Sequence, residues 1–325
     1  MSKLVTIYGG SGFVGRYIAR RMAKQGWRVR VAVRRPNEAI FTKPYGAVGQ
    51  VEPVMCNIRD EASVAAAMRG ADAVVNCVGI LSEIRKNKFD AIQAEGAARV
   101  ARLAAASGVK TLVHVSALGG DESAYGRSKA EGEAAVLAAF PTAMILKPSI
   151  LFGPEDNFFN FFALMARFGP ILPVVGGNTR FQPVYVDDVA AAAVKGINGE
   201  ATGVFQLGGP DVETFKELMQ RMLRVTYRSR LIVNVPFFIA RIMGGALDLV
   251  QALSGGLIEN KLLTKDQAKN LERDSIVAEG ANGFAALGIQ PTPMSAVLAD
   301  YLWRFRPHGQ FDDIQASAKN LRKPS

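Results

Sequence analysis

A doubly wound parallel α/β sheet with a smaller lobe after it is the fold class this sequence predicts, on three observations. Short apolar runs alternate with helical stretches through the first 150 residues, a glycine-rich turn joins the first run to the first helical stretch, and the alternation breaks after Pro148. Strict alternation of strands and helices means parallel strands, with helices on both sheet faces and ligands at the strands' carboxyl ends.

The strand-like runs are 4–8, 28–33, 51–56, 73–78, 111–116 and 143–147. Between them 16–25, 62–68 and 89–106 carry helical spacing, rich in Ala and Arg. Beyond Pro148 come Phe158-Phe159-Asn160-Phe161-Phe162, Gly and Pro clusters, and a short apolar run at 184–186 before Asp187-Asp188. A return near 204–207 would finish the sheet, and Asp211 or Thr214 could cap the next helix. The division expected is a dinucleotide domain over 1–150 completed by 182–209, a small lobe over 151–181 and 210–306, and a polar tail over 307–325.

The chain of 325 residues is 49% hydrophobic, enough to bury one large core or two unequal ones. Two cysteines, Cys56 and Cys77, sit in apolar runs without CxxC spacing, which argues against a disulfide framework or a zinc site. His114 and His308 form no ligand set, so no metal is expected. Met1 runs directly into the first strand, an expectation of an unprocessed chain. The net charge of +10 favours an anionic partner. Nucleic acid is disfavoured, because the basic residues are dispersed and no recognition motif accompanies them.

Gly9-Gly10-Ser11-Gly12-Phe13-Val14-Gly15 places glycines at i, i+3 and i+6 between a strand and a helix. Gly9 can make the tight turn, Gly12 can admit a pyrophosphate to the backbone, and Gly15 can let helix and strand pack closely. The helix N-terminus then offers unpaired N–H groups to phosphate. This pattern predicts a Rossmann domain. Where an NAD site places an acid after the second strand, Arg34-Arg35 stand instead, two guanidinium forks suited to the 2′-phosphate of NADP.

Asn57 and Ile58, after the third strand, are the residues expected against adenine. Cys77, Val78 and Gly79 follow the fourth, where small residues let the cofactor pass close by. Pro148, at the end of the sixth, completes the cofactor side. Ser116 ends the fifth strand, and Tyr125 and Lys129 stand at i and i+4 on one helix face. A lysine beside a phenol lowers its pKa and makes it a proton donor, while a serine could polarise a substrate carbonyl. That is carbonyl-reduction chemistry; equally, the lysine could only hold a nicotinamide ribose.

Residues 235–255 are apolar on a wide face, with Arg241, Gly244, Asp248, Gln251 and Gly255 as a narrow polar stripe. Arg241 and Asp248 make it too polar for a membrane span. Lys216, Arg221, Arg224, Arg228 and Arg230 precede it and would suit anionic headgroups. The stretch could lie in the bilayer interface, in a groove between subunits, or in the lobe's own core.

The ordered set GGSGFVG, RR, NCVG, HVSALGG, YGRSK, KPSILFGPED and VYVDDVA resembles an extended or atypical short-chain dehydrogenase/reductase over about two-thirds of the chain. Within that superfamily, the run from SAYGRSK to FFNFFA is similar to the NADPH-binding accessory subunit of respiratory complex I, the NADH:ubiquinone oxidoreductase. The resemblance implies a tightly held structural NADPH without turnover, core subunits of complex I as partners, and no free homo-oligomer. It also implies a peripheral place at the membrane, and the expected lack of a transit peptide would suit a bacterial form of the subunit, on the cytoplasmic face of the inner membrane. Ser116, Tyr125 and Lys129 would then be inherited and idle. The 116–125 segment is short for an extended reductase, which fits. The alternative is an active NADP-dependent reductase or epimerase using those three residues.

Overall fold

The computed structural model describes residues 2–84, 86–119, 122–253, 265–312, 314 and 317–318, the side chains of 247–253 and 265 excepted. The first half alternates as expected. β1 (Leu4–Tyr8) passes through the glycine turn into α1 (Phe13–Lys24), then come β2 (Arg28–Val33), β3 (Val51–Met55), α2 (Glu61–Met68) and β4 (Ala73–Asn76). A π-helical turn over Asp90–Ala94 opens α3 (Glu95–Ala106), followed by β5 (Thr111–Val115), α4 (Ala124–Ala139) and β6 (Met144–Pro148). The second half contains β7 (Leu151–Phe152), α5 (Phe159–Phe168), β8 (Ile171–Val175), β9 (Arg180–Phe181), β10 (Val184–Tyr185), α6 (Val186–Ile197) and β11 (Gly203–Leu207). It ends with β12 (Glu213–Thr214), α7 (Phe215–Val225), β13 (Leu231–Val235), α8 (Phe237–Leu253), α9 (Lys265–Asn270) and α10 (Leu298–Leu302).

Seven parallel strands form the main sheet in the order β11-β6-β5-β4-β1-β2-β3. The order reverses between β1 and β4, and at such a switch point a crevice opens at the strands' carboxyl ends. Helices cover both faces, which is why β1 is buried at every residue and reads as a continuous apolar run. Val5, Ile7, Val31 and Val113 pack beneath α1 and α6, while Tyr8, Val74, Leu112 and Ile145 pack on the α2–α4 side. Side-chain caps start the helices where the sequence offers them: Asp60 accepts from the Ser63 N–H, and Thr214 with Glu217 forms a reciprocal capping box at α7.

A third core belongs to the lobe, where Phe152, Phe159, Phe181 and Phe215 meet Leu218, Met222 and Leu302. Val184 and Tyr185 pair with β7 outside the main sheet. The 210–306 segment does not stay in the lobe. The Asn282 carbonyl accepts from the Gln206 N–H at 2.8 Å, and Phe284 and Leu287 bury beside α6. β11 is the sheet's edge, and this returning segment covers it.

α8 is turned with its small residues inward. Ala240 and Gly244 are buried, whereas Phe238, Ile239, Ile242 and Met243 face outward. Arg241 pairs with Glu272 at 3.5 Å. The side chains of Asp248 and Gln251, and Gly255 altogether, lie outside the described residues, as does most of the 307–325 tail. Among the described residues no helix is long and apolar enough to cross a membrane.

Candidate nucleotide site

The glycine turn stands at the switch point. Gly9 has φ +74°, a left-handed conformation that costs glycine nothing, and its N–H donates to the Ala32 carbonyl at 2.9 Å. A Cβ on Gly15 would press into the Gly9 carbonyl oxygen and stand 2.7 Å from the Gly10 Cα, so only glycine lets α1 meet the turn this closely. Gly12 is the N-cap of α1 and supplies no side-chain cap, which leaves the helix's first N–H groups for a ligand. Ser11 is half-buried, Val14 is a core residue, and Phe13 lies edge-on to Tyr17.

Arg34 and Arg35 follow β2 and are exposed. Arg35 pairs with Glu38 at 2.9 Å, and Arg34 reaches the Asn87 Oδ1 at 3.4 Å. Exposed partners of this kind hold a guanidinium weakly, so both remain available to an anion. Arg59, which the sequence reading passed over, donates to the Lys86 carbonyl at 2.8 Å and so holds the same loop from β3. Of the expected adenine pair, Asn57 stays half-exposed, while Ile58 is buried against Gly96.

Cys77, Val78 and Gly79 leave β4 against the glycine turn; the Cys77 N–H donates to the Tyr8 carbonyl at 2.9 Å. Burial pushes the Cys77 thiol up to about 12. Lys129 reaches the same place from α4: its Nζ is 3.3 Å from where a Gly79 Cβ would stand and donates to the Val115 carbonyl at 3.4 Å. Burial pulls its amine down to about 8 despite the nearby Glu133 and Cys77. His114 is buried with its Nδ1 3.2 Å from the Asn76 amide nitrogen, and burial first, then Lys129, drives it down to about 3. It is therefore neutral, a strand residue in an internal polar pair.

Two expectations about the reacting end are overturned. Lys129 does not acidify Tyr125; burial pushes the phenol up to about 12, and no opposing charge offsets it. Among the described residues nothing hydrogen-bonds the Tyr125 hydroxyl, and the ring packs edge-on to Phe89 at 5.8 Å. Nor is Ser116 turned to a substrate. Its hydroxyl donates to Glu133 at 2.5 Å, and the other Glu133 oxygen holds Lys147 at 2.8 Å, with side chains 14% and 21% exposed. The signal for this pair was present: Glu133 lies one turn beyond Lys129, and Lys147 is a charge within an apolar strand.

α9 spans the two banks of the cleft. Asp266 accepts from the N–H groups of Ala124 at 2.8 Å and Tyr125 at 3.1 Å, capping α4 from another part of the chain. Gln267 donates to the Leu81 carbonyl at 3.3 Å on the opposite bank. Pro148 is buried below, its carbonyl accepting from Leu118 at 2.8 Å.

Residues 5–208 match the NAD dependent epimerase/dehydratase family. The chain belongs to that family. It is 33% identical over 316 residues to the "NADH dehydrogenase (ubiquinone) 1 alpha subcomplex subunit 9, mitochondrial" of Arabidopsis thaliana, covering 94% of this chain and 79% of that one. It is 31% identical over 239 residues to the "Ceramide reductase" of Caulobacter vibrioides, covering 72% and 74%. Among epimerase-family structures it is similar to the UDP-glucose 4-epimerase of Thermus thermophilus in complex with NAD, with TM-score 0.69, 16% identity and coverage of 94% and 99%. A dTDP-4-dehydrorhamnose reductase of Bacillus anthracis in complex with NADP gives TM-score 0.63, 16% identity and the same coverage. This is an NAD(P)-binding fold, and the complex I resemblance read from the sequence extends over most of the chain.

Proposed function

We propose that this chain holds NADPH as a structural ligand and serves as an accessory subunit of a respiratory NADH:ubiquinone oxidoreductase. One observation carries the non-catalytic part: the Ser116 hydroxyl donates to Glu133, so its proton is committed to a carboxylate rather than free to polarise a substrate carbonyl. The subunit 9 relative supports the assembly. The site fits the nucleotide. The backbone of 9–15 would hold the pyrophosphate, Arg34 and Arg35 the 2′-phosphate, Asn57 the adenine, and the 77–79 backbone with Tyr125 and Lys129 the nicotinamide ribose. When bound, NADPH could supply a hydride; here its binding energy stabilises the fold that binds it.

The reading places the chain against core subunits at the membrane-proximal end of the peripheral arm, on the cytoplasmic face of a bacterial inner membrane, with anionic lipid nearby. The outward apolar face of α8 supports a membrane-adjacent position.

A second reading keeps an active NADP-dependent reductase or epimerase. It is favoured by the buried Lys129 on the same α4 face as Tyr125 and by the ceramide reductase relative. Gentle detergent extraction of native membranes separates the two. The first expects this chain to migrate with NADH:ubiquinone oxidoreductase activity and to carry NADPH. Migration as a free protein that turns over NADPH would overturn it and establish the second.

A further inference from the structure

A groove of about 430 Å³ opens between α7 and β13, and its lining includes Lys216, Arg224, Arg228, Ser229, Arg230 and Leu231. Lys216 and Arg224 project from one face of α7, two turns apart. Two of the arginines are fixed through Nε: Arg228 donates to the Phe305 carbonyl and Arg230 to the Ala166 carbonyl, each at 2.7 Å. Carbonyl partners orient a guanidinium without neutralising it. Among the described residues none of these four cations pairs with a carboxylate, whereas Arg221, the fifth member of the basic stretch, is withdrawn by Glu213. Burial first, then the like charges of Arg230 and Arg167, hold Arg228 below its ordinary value, while Asp312, already bonded to His308, pulls the other way. Such a crowd of like charges calls for an anion.

The groove's neighbourhood identifies which anion. Leu231, 65% exposed, pairs with Ile171 across β13 and β8, and Val233 is exposed two residues on. Phe168, 79% exposed, closes the preceding helix, and Ile242, 68% exposed, lies with Phe238 and Met243 on the outward face of α8. A soluble phosphate metabolite has no use for the exposed Leu231 that lines the groove, or for the apolar ribbon and helix that adjoin β13 along the chain. A headgroup with acyl chains below it matches both parts: cationic donors for phosphate, and large apolar side chains for the acyl boundary.

We propose that the α7–β13 groove is a binding site for the phosphate of an anionic phospholipid, with the β8–β13 ribbon and α8 resting in the bilayer interface. The proposal sharpens the membrane-adjacent reading above and shares only that part of it. Purified full-length chain should float with phosphatidylcholine vesicles containing phosphatidylglycerol and not with phosphatidylcholine alone. Replacing Lys216 and Arg224 by Gln should weaken flotation roughly 10- to 30-fold, at about 1 kcal/mol per cation near the surface. Neither side chain bonds to another described residue, and an unchanged thermal unfolding midpoint would show that the variant is folded. Arg228→Gln with Arg230→Gln should do the same or more.

Equal flotation of parent and variants would overturn the proposal. So would binding to uncharged vesicles, or flotation abolished by millimolar-range inorganic phosphate at constant ionic strength, which would assign the groove to a soluble anion. Variants that keep vesicle binding but no longer migrate with the oxidoreductase would assign it to an acidic protein surface. Vesicle binding by a chain that never joins the oxidoreductase would leave this proposal standing and defeat the assembly reading.

Discussion

The two ends of the nucleotide cleft are built on opposite principles. At the phosphate end the chain leaves donors open: Gly12 caps α1 without a side chain, and Arg34 and Arg35 have only surface partners. At the reacting end the groups are already occupied or buried: Ser116 is bonded to Glu133, Glu133 to Lys147, and Lys129 to a backbone carbonyl. Binding and turnover therefore have separate physical requirements within one fold. A chain can keep the first while the second is rewired by one carboxylate.

The hardest break falls on the phosphate end. Gly15→Ala would drive a methyl into the Gly9 carbonyl and the Gly10 Cα, which are backbone atoms that cannot swing aside. Overpacking of this kind costs about 1–3 kcal/mol, and the displaced turn should also lower NADPH affinity about 100-fold or more, read by calorimetry. Retained affinity would show that the turn does not meet the phosphates.

Next comes the choice between nucleotides. Replacing Arg34 and Arg35 by Ala should weaken NADPH by roughly 10- to 100-fold, since charge-assisted hydrogen bonds contribute about 1.5–3 kcal/mol. NADH, lacking the 2′-phosphate, should bind as before. Parallel titrations decide this: an equal loss for both nucleotides would move the arginines out of the site.

How much of this contrast was legible in the sequence follows from the kind of interaction involved. The glycine end is local: strand, glycine turn and helix are contiguous, so spacing alone put Gly9, Gly12 and Gly15 at the junction of β1 and α1 and the paired arginines just after β2. The sheet was legible for the same reason, because strands buried on both faces read as apolar runs, as at Leu4–Tyr8. The reacting end depends on contacts distant in sequence. Ser116 to Glu133 spans 17 residues, and Asp266 caps α4 from 142 residues away. The Tyr125–Lys129 spacing correctly put both residues on one helix face but carried no information about burial, which sets the phenol's acidity. Ile58 shows the same limit, since a strand-end residue can turn to the cleft or to the core.

A smaller effect tests the rewired carboxylate. Glu133→Gln keeps the shape and an acceptor for Ser116 but removes the charge facing the largely buried Lys147. The fold should lose about 2 kcal/mol, within the range for breaking a hydrogen bond to a charged group. NADPH affinity should change little, because Glu133 lies behind the serine. Thermal denaturation beside a nucleotide titration reads both quantities; a large loss of affinity with little loss of stability would place Glu133 in the binding site.

The smallest change is expected at the residue that a reductase would need most. Tyr125→Phe removes a hydroxyl that no described residue bonds and leaves the ring on Phe89. NADPH affinity should fall by no more than about tenfold, one hydrogen bond's worth to the nicotinamide ribose, and respiratory activity should be unchanged. Titration gives an independent check. Lys129 loses its proton near pH 8 in the fold but at 10.5 when unfolded, so between those values the unfolded chain binds the extra proton and stability rises with pH. The penalty for its buried charge is complete below about pH 8 and is relieved as pH climbs towards 10.5. Tyr125, held up to about 12 in the fold against 10.0 in the unfolded chain, opposes this rise only as pH approaches 10, so below about pH 9 it contributes little to the slope. Tyr125→Phe should therefore leave the rise in place. A flattened profile would mean that phenol and amine titrate together, which is the coupled pair a working reductase requires.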